Sequence, residues 1–200
     1  MTATPEYYLA LLEQAPLDWE SVTYLIVTGT TPEQVAATVG VDLADSVEEG
    51  YIDDVDYSAY ALAAVGGGAV VAFEGTGYAD PSNTVLATLS EGGRVAAVVR
   101  SNIQGHNRFG YAIDGELVFD DDEYTYIDDP DTFPTELRHL FDLVYDDLDG
   151  DEFDGEHDPI AVGLAMAEIV TGIALTVEDL MRAAEGGWFR TSALTYGRDE

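Results

Sequence analysis

Apolar positions recur along this chain with two periods, and each period predicts its own kind of element. Helical spacing is clearest where capping residues frame it. Thr31-Pro32-Glu33-Gln34 offers an N-cap, a first-turn proline and a capping-box glutamine ahead of Val35 and Val39, and Gly40 ends the run. Asp80-Pro81 predicts the opening of a second helix with Val85, Leu86 and Leu89 on one face, closed by Gly92-Gly93. Asp158-Pro159 predicts a third, through Ile160, Leu164 and Ile169 to Gly172. Thr176 opens a fourth, with Val177, Leu180, Met181 and Ala184 on one stripe. Leu137, Leu140, Phe141, Val144 and Leu148 keep the same spacing and predict a helix through an acidic region.

Strand patterning concentrates in the middle. Residues 57–65 and 69–74 flank Gly66-Gly67-Gly68 and read as a hairpin. Residues 94–100, 108–113 and 116–119 follow, and Asp114-Gly115 is a two-residue hairpin turn signal. Residues 22–27 are apolar and fit either a strand or an extension of the helix that begins near Tyr7. This order of elements predicts one α+β domain over residues 1–200: a mainly antiparallel sheet with helices packed on one face. Within it, 120–131 and 146–158 read as acidic loops.

Several short blocks resemble, in order, an uncharacterised actinobacterial domain family. They are Val27-Thr-Gly-Thr-Thr-Pro-Glu-Gln-Val, Phe73-Glu-Gly, Leu89-Ser-Glu-Gly-Gly-Arg-Val, Asn107-Arg-Phe-Gly-Tyr-Ala-Ile-Asp-Gly and Val170-Thr-Gly-Ile-Ala-Leu-Thr. The resemblance spans roughly residues 5–184. It implies a single α+β domain and no particular activity. After Phe119 the chain departs from the pattern with Asp120-Asp-Asp-Glu, so whatever is particular to this protein is expected there.

Charge changes the picture most. The 200 residues hold 40 Asp+Glu against 7 Lys+Arg, a net charge of -33, and none of the bases is lysine. Between 114 and 158 lie 19 of the 40 acids and one base, Arg138. Such imbalance raises the energy of the compact state and repels nucleic acid and anionic lipid. Strong salt or a basic partner would relieve it. The longest apolar run, residues 160–170, falls short of the ~18–20 a membrane span needs, and it contains Glu168. With no cysteine, and an opening Met1-Thr-Ala-Thr-Pro-Glu unlike a signal peptide, a cytoplasmic protein without membrane contact is expected.

Candidate chemistry is sparse. Asp147, Asp149, Asp151 and Asp158 follow a calcium-loop spacing, but Glu152 stands where the sharp turn needs glycine and position 12 lacks a glutamate. His106, His139 and His157 lack zinc-site spacing. Gly75-Thr-Gly77 follows a strand, yet no third glycine or lysine completes a phosphate loop, so it reads as a turn. His106-Asn107-Arg108 is the one mixed polar cluster, the first place to look for an active site. No catalytic residue, metal or cofactor is expected. The expected site is a partner-binding edge made of Asp120, Asp121, Asp122, Glu123, Tyr124, Tyr126, Asp128, Asp129 and Asp131. There carboxylates could approach the charge density of duplex DNA, and tyrosines could anchor the contact. The expected function is non-enzymatic masking of a basic protein, such as a toxin or nucleic-acid-binding protein, by an inhibitor, immunity protein or nucleic-acid mimic. The alternative is an enzyme or small-ligand-binding domain whose acidity is adaptation to salt or proteome. One contiguous acidic face would favour the first; an even coat with a deep apolar pocket would favour the second.

Overall fold

The computed structural model describes residues 4–15, 21–47, 58–102, 104–127, 129–144 and 157–191. Eight strands pair in it: β1 (Val22–Thr28), β2 (Val41–Val47), β3 (Ser58–Val65), β4 (Ala69–Glu74), β5 (Val95–Ser101), β6 (Asn107–Ile113), β7 (Glu116–Asp121) and β8 (Trp188–Thr191). They form one sheet in the order β2-β8-β3-β4-β1-β5-β6-β7, with every neighbouring pair antiparallel. Six α-helices accompany it: α1 (Pro5–Leu12), α2 (Pro32–Thr38), α3 (Asn83–Ser90), α4 (Arg138–Phe141), α5 (Pro159–Thr171) and α6 (Val177–Gly186). The α+β class and the antiparallel sheet are as expected.

The helices cover both faces of the sheet, where one was expected. α1, α4, α5 and α6 pack over Tyr24, Ile26, Phe73, Val99 and Phe109. α2 and α3 close the opposite face over Leu25, Val27, Ala72, Ala96 and Val98. The central strands require this arrangement. β1 lies between β4 and β5 and is buried from Val22 to Val27, so its side chains of either parity need apolar cover. That explains why residues 22–27 show no alternation, and why helix and strand could not be told apart there.

Local signals place most boundaries. Thr31 caps α2 with the full capping box to Gln34, Asp158 caps α5, and Thr176 with Asp179 forms a second capping box at α6. Asp114 (φ 51°) and Gly115 (φ 86°) make the β6–β7 turn, which needs positive φ at both positions. Three expectations shift. α3 is capped by Ser82, two residues beyond Asp80, because the Asp80 carboxylate is drawn elsewhere. The helix expected from Leu137 to Leu148 is the short α4 with turns on to Val144, and Leu148 lies outside the described residues. β2 and β8 were not foreseen, since β2 is an exposed edge strand and the four-residue β8 carries too little pattern.

Candidate functional site

The sheet register lines up one polar residue from each of five adjacent strands. Tyr60 of β3 stands opposite Glu74 of β4, and Glu74 opposite Thr23 of β1. Thr23 pairs with Arg100 of β5, and Arg100 with Arg108 of β6. The row runs across an otherwise apolar face, the one that α2 and α3 cover. Buried polar groups need partners, and the chain between β4 and α3 folds over the row and supplies them to Tyr60, Glu74, Arg100 and Arg108. Arg100 Nε donates to Gly77 O at 2.7 Å, and its Nη1 lies 3.5 Å from Asp80 Oδ2.

Arg108 is the centre of this layer, at 1% exposure. Its Nη1 donates to Asp80 Oδ1 and to Pro81 O (2.6 Å), its Nη2 to Asn83 Oδ1 (3.0 Å) and its Nε to Asp120 Oδ1 (2.7 Å). Burial opposes the guanidinium charge, but Asp80 and Asp120 outweigh it and raise the pKa. Asp120 fits only because its neighbour on β6 is Gly110: a Cβ there would lie 3.1 Å from Asp120 Cγ and closer still to Oδ1. Glu74 is fully buried beside this cluster. Its Oε1 accepts from the hydroxyls of Ser58 and Thr76 and from Thr76 N (2.8 Å). Burial raises the Glu74 pKa against those hydrogen bonds.

This geometry redistributes the expected partner-binding residues. β7 runs on to Asp121, so Asp120 is a strand residue, its side chain 2% exposed and ion-paired to Arg108. Tyr124 is buried as well. It sits in an aromatic cluster with Phe109 and Phe133 at centroid distances of 6.1 and 6.4 Å, and its hydroxyl donates to Pro159 O at 2.6 Å. Neither residue can face a partner: one balances a buried cation and the other fills the core. Asp121 and Asp122 are half-buried, and Asp121 Oδ1 accepts from Glu123 N at 2.9 Å. Glu123, Tyr126, Asp129 and Asp131 are exposed, and Glu123 Oε1 lies 2.8 Å from His106 Nδ1. Asp128, Asp147, Asp149, Asp151 and most of the 146–158 stretch lie outside the described residues. Among the described residues no three His, Asp or Glu side chains are grouped to hold a metal ion. His106-Asn107-Arg108 is thus split, with His106 turned outward to Glu123 and Arg108 turned inward.

The layer that sequence reasoning missed left one signal. Among the chain's seven bases, Arg100 and Arg108 stand within strand positions beside apolar residues, Val99-Arg100 and Arg108-Phe109. A cation so placed must find buried carboxylates. Which carboxylates they are depends on the register.

Two surface features complete the inventory. Four of the eight exposed large apolar side chains among the described residues fall between 113 and 126: Ile113 (42%), Leu117 (41%), Val118 (49%) and Tyr126 (40%). Val118 is the extra residue of a β-bulge, since Tyr111 pairs with Phe119 and Ala112 with Leu117. Elsewhere, a pocket of about 170 Å³ opens beside the polar row, between the end of α2, Tyr60, Asp80, Pro81 and Val85.

Fold and site together define an α+β domain with a buried arginine–carboxylate layer and an acidic, partly apolar sheet edge. The chain belongs to the family of unknown function DUF6461, whose model matches residues 1–191. No curated protein and no solved structure gives a significant match. Among the described residues no helix is long and apolar enough to cross a membrane.

Proposed function

We propose that this protein is a non-enzymatic, cytoplasmic partner-binding domain that masks a basic protein surface with its β6–β7 hairpin and the segment that follows. An inhibitor, an immunity protein or a nucleic-acid mimic would each fit that description. The observation that carries the reading is the exposure of four large apolar side chains, Ile113, Leu117, Val118 and Tyr126, along the β6–β7 hairpin and the segment after it. Charge alone selects no face, because exposed carboxylates also stand on α1, α2, β2 and α6, at Glu6, Glu33, Asp42 and Glu185. Exposed apolar side chains do single out this hairpin, which with the segment after it holds four of the eight among the described residues. Asp114, Glu116, Glu123 and Asp129 border them, so a cationic partner is attracted and an anionic one repelled. The bulge at Val118 twists the strand edge, which favours side-chain contact over simple strand pairing.

The test uses two surface variants that spare Asp120 and Tyr124, whose burial would turn their loss into a folding defect. Wild-type protein immobilised at low salt should retain a basic protein from host lysate. With that protein purified, Leu117→Ser/Val118→Ser should dissociate faster. Glu116→Gln/Asp121→Asn/Glu123→Gln should associate more slowly and with weaker salt dependence. Binding unchanged in both variants, or no basic protein retained at low salt, would refute the proposal.

A further inference from the structure

Three buried oxygens beside the polar row have no hydrogen-bond partner among the described residues: Ser21 Oγ, Thr23 Oγ1 and Glu74 Oε2. Thr23 and Glu74 stand directly opposite each other on β1 and β4, and both are fully buried. The Cβ atoms of such cross-strand neighbours lie about 4.5–5.5 Å apart on one face of a sheet. Ser21 precedes β1 by one residue and Thr23 by two, where alternation along the strand returns to the same face. Tyr24 Oη is unpartnered too, but Tyr24 belongs to the opposite face. The three oxygens are therefore a group, and Tyr24 is not part of it.

Glu74 cannot satisfy its free oxygen by turning. Oε1 already accepts from the hydroxyls of Ser58 and Thr76 and from Thr76 N (2.8 Å), and all three donors would be given up. No direct hydrogen bond joins Thr23 to Glu74. Burying three such oxygens without partners is costly. Their chemistry suits one small guest that both donates and accepts. A buried water makes about three hydrogen bonds. It can donate to Glu74 Oε2 and Ser21 Oγ while it accepts from the Thr23 hydroxyl. A hard cation such as Ca²⁺ or Mg²⁺ takes about six or more oxygens, which this group does not offer.

From the register of Thr23 and Glu74 and the three unpartnered oxygens, we infer that one water molecule is bound between Ser21, Thr23 and Glu74 as a fixed part of the fold. It bridges the central strands β1 and β4 and makes the polar row continuous from Glu74 to Thr23. The segment after β4 closes over it. Thr76 is held by Glu74, Arg100 Nε donates to Gly77 O at 2.7 Å, and Gly77 (φ 66°) packs on the Ser101 backbone with no room for a Cβ. Exchange of the water with solvent requires residues 75–77 to lift.

The test is a high-resolution crystal structure of the full chain from crystals grown with RbCl. The expected result is a density peak within about 2.7–3.2 Å of Thr23 Oγ1 and Glu74 Oε2, with Ser21 Oγ as third partner and no anomalous rubidium signal. No peak bridging Thr23 and Glu74, or rubidium in that place, would overturn the inference. Thr23→Val gives a second test in solution, because it keeps the shape of the side chain and removes only the hydroxyl. If the hydroxyl is unpaired, its removal raises Tm. With the water in place, the water loses a partner and Tm should fall by roughly 2–6 °C. An unchanged or higher Tm would overturn the inference, and the wild-type crystal structure decides it if Thr23→Val misfolds. Neither measurement involves the β6–β7 hairpin, so this result and the partner-binding result stand or fall separately.

Discussion

Gly110→Ala tests whether the buried arginine layer is as tightly specified as the geometry indicates. Gly110 does not have the positive φ that favours glycine, so the backbone itself accepts alanine. Replacing a strand glycine should by that measure stabilise the protein by about 0.5–1 kcal/mol through lost unfolded-state freedom. The new Cβ, however, would lie 3.1 Å from Cγ and 3.2 Å from Cβ of Asp120, and would overlap Oδ1, the atom that accepts from Arg108 Nε. Asp120 must move, and Arg108 loses one of its two principal carboxylates. Breaking a buried pair costs ~3–5 kcal/mol, and the lower end applies because Asp80 remains. The net loss is about 2 kcal/mol, and at about 2–4 °C per kcal/mol for a chain of this size the melting temperature should fall by roughly 4–8 °C. Urea denaturation of a double-mutant cycle with Asp120→Ala, which removes Cγ and Oδ1, isolates the cause. In the Asp120→Ala background Gly110→Ala should be close to neutral. An equal loss in both backgrounds would refute the reasoning.

Glu74→Gln should change how stability depends on pH. Burial raises the folded-state pKa of Glu74, so the folded state holds this proton after the unfolded state has released it. Wild-type stability should then decline relative to Glu74→Gln as pH rises through the ordinary glutamate range and up to the raised folded-state pKa; denaturation at a series of pH values checks it, and a constant difference would contradict it. Tyr124→Phe removes the hydrogen bond to Pro159 O and should lower stability by about 1 kcal/mol, whereas Tyr126→Phe, on an exposed ring, should be neutral in the same melting assay. With a net charge of -33, the melting temperature should climb as NaCl shortens the Debye length from about 30 Å at 0.01 M to about 3 Å at 1 M; a flat profile would show that self-repulsion is minor.

Features governed by short-range chemistry are legible along the chain. The caps at Thr31, Asp158 and Thr176 hydrogen-bond backbone groups three residues away, so their helices begin where the local pattern places them. Asp114-Gly115 fixes the β6–β7 turn for the same reason. Asp80 looked like one more helix cap, and the local pattern alone does not decide between it and Ser82, which caps α3. Arg108 lies 28 positions away in sequence and claims Asp80 only once the sheet is assembled. The acidic run after Phe119 likewise looks uniform, yet strand pairing turns Asp120 inward against Gly110 and leaves Glu123 in solvent. Tyr124 and Tyr126 differ by two positions and have opposite fates, because the aromatic cluster around Phe133 takes in only the first. The polar row itself joins residues 23, 60, 74, 100 and 108. Its register is set by the packing of two helical layers against a shared sheet, a long-range condition that no local pattern encodes.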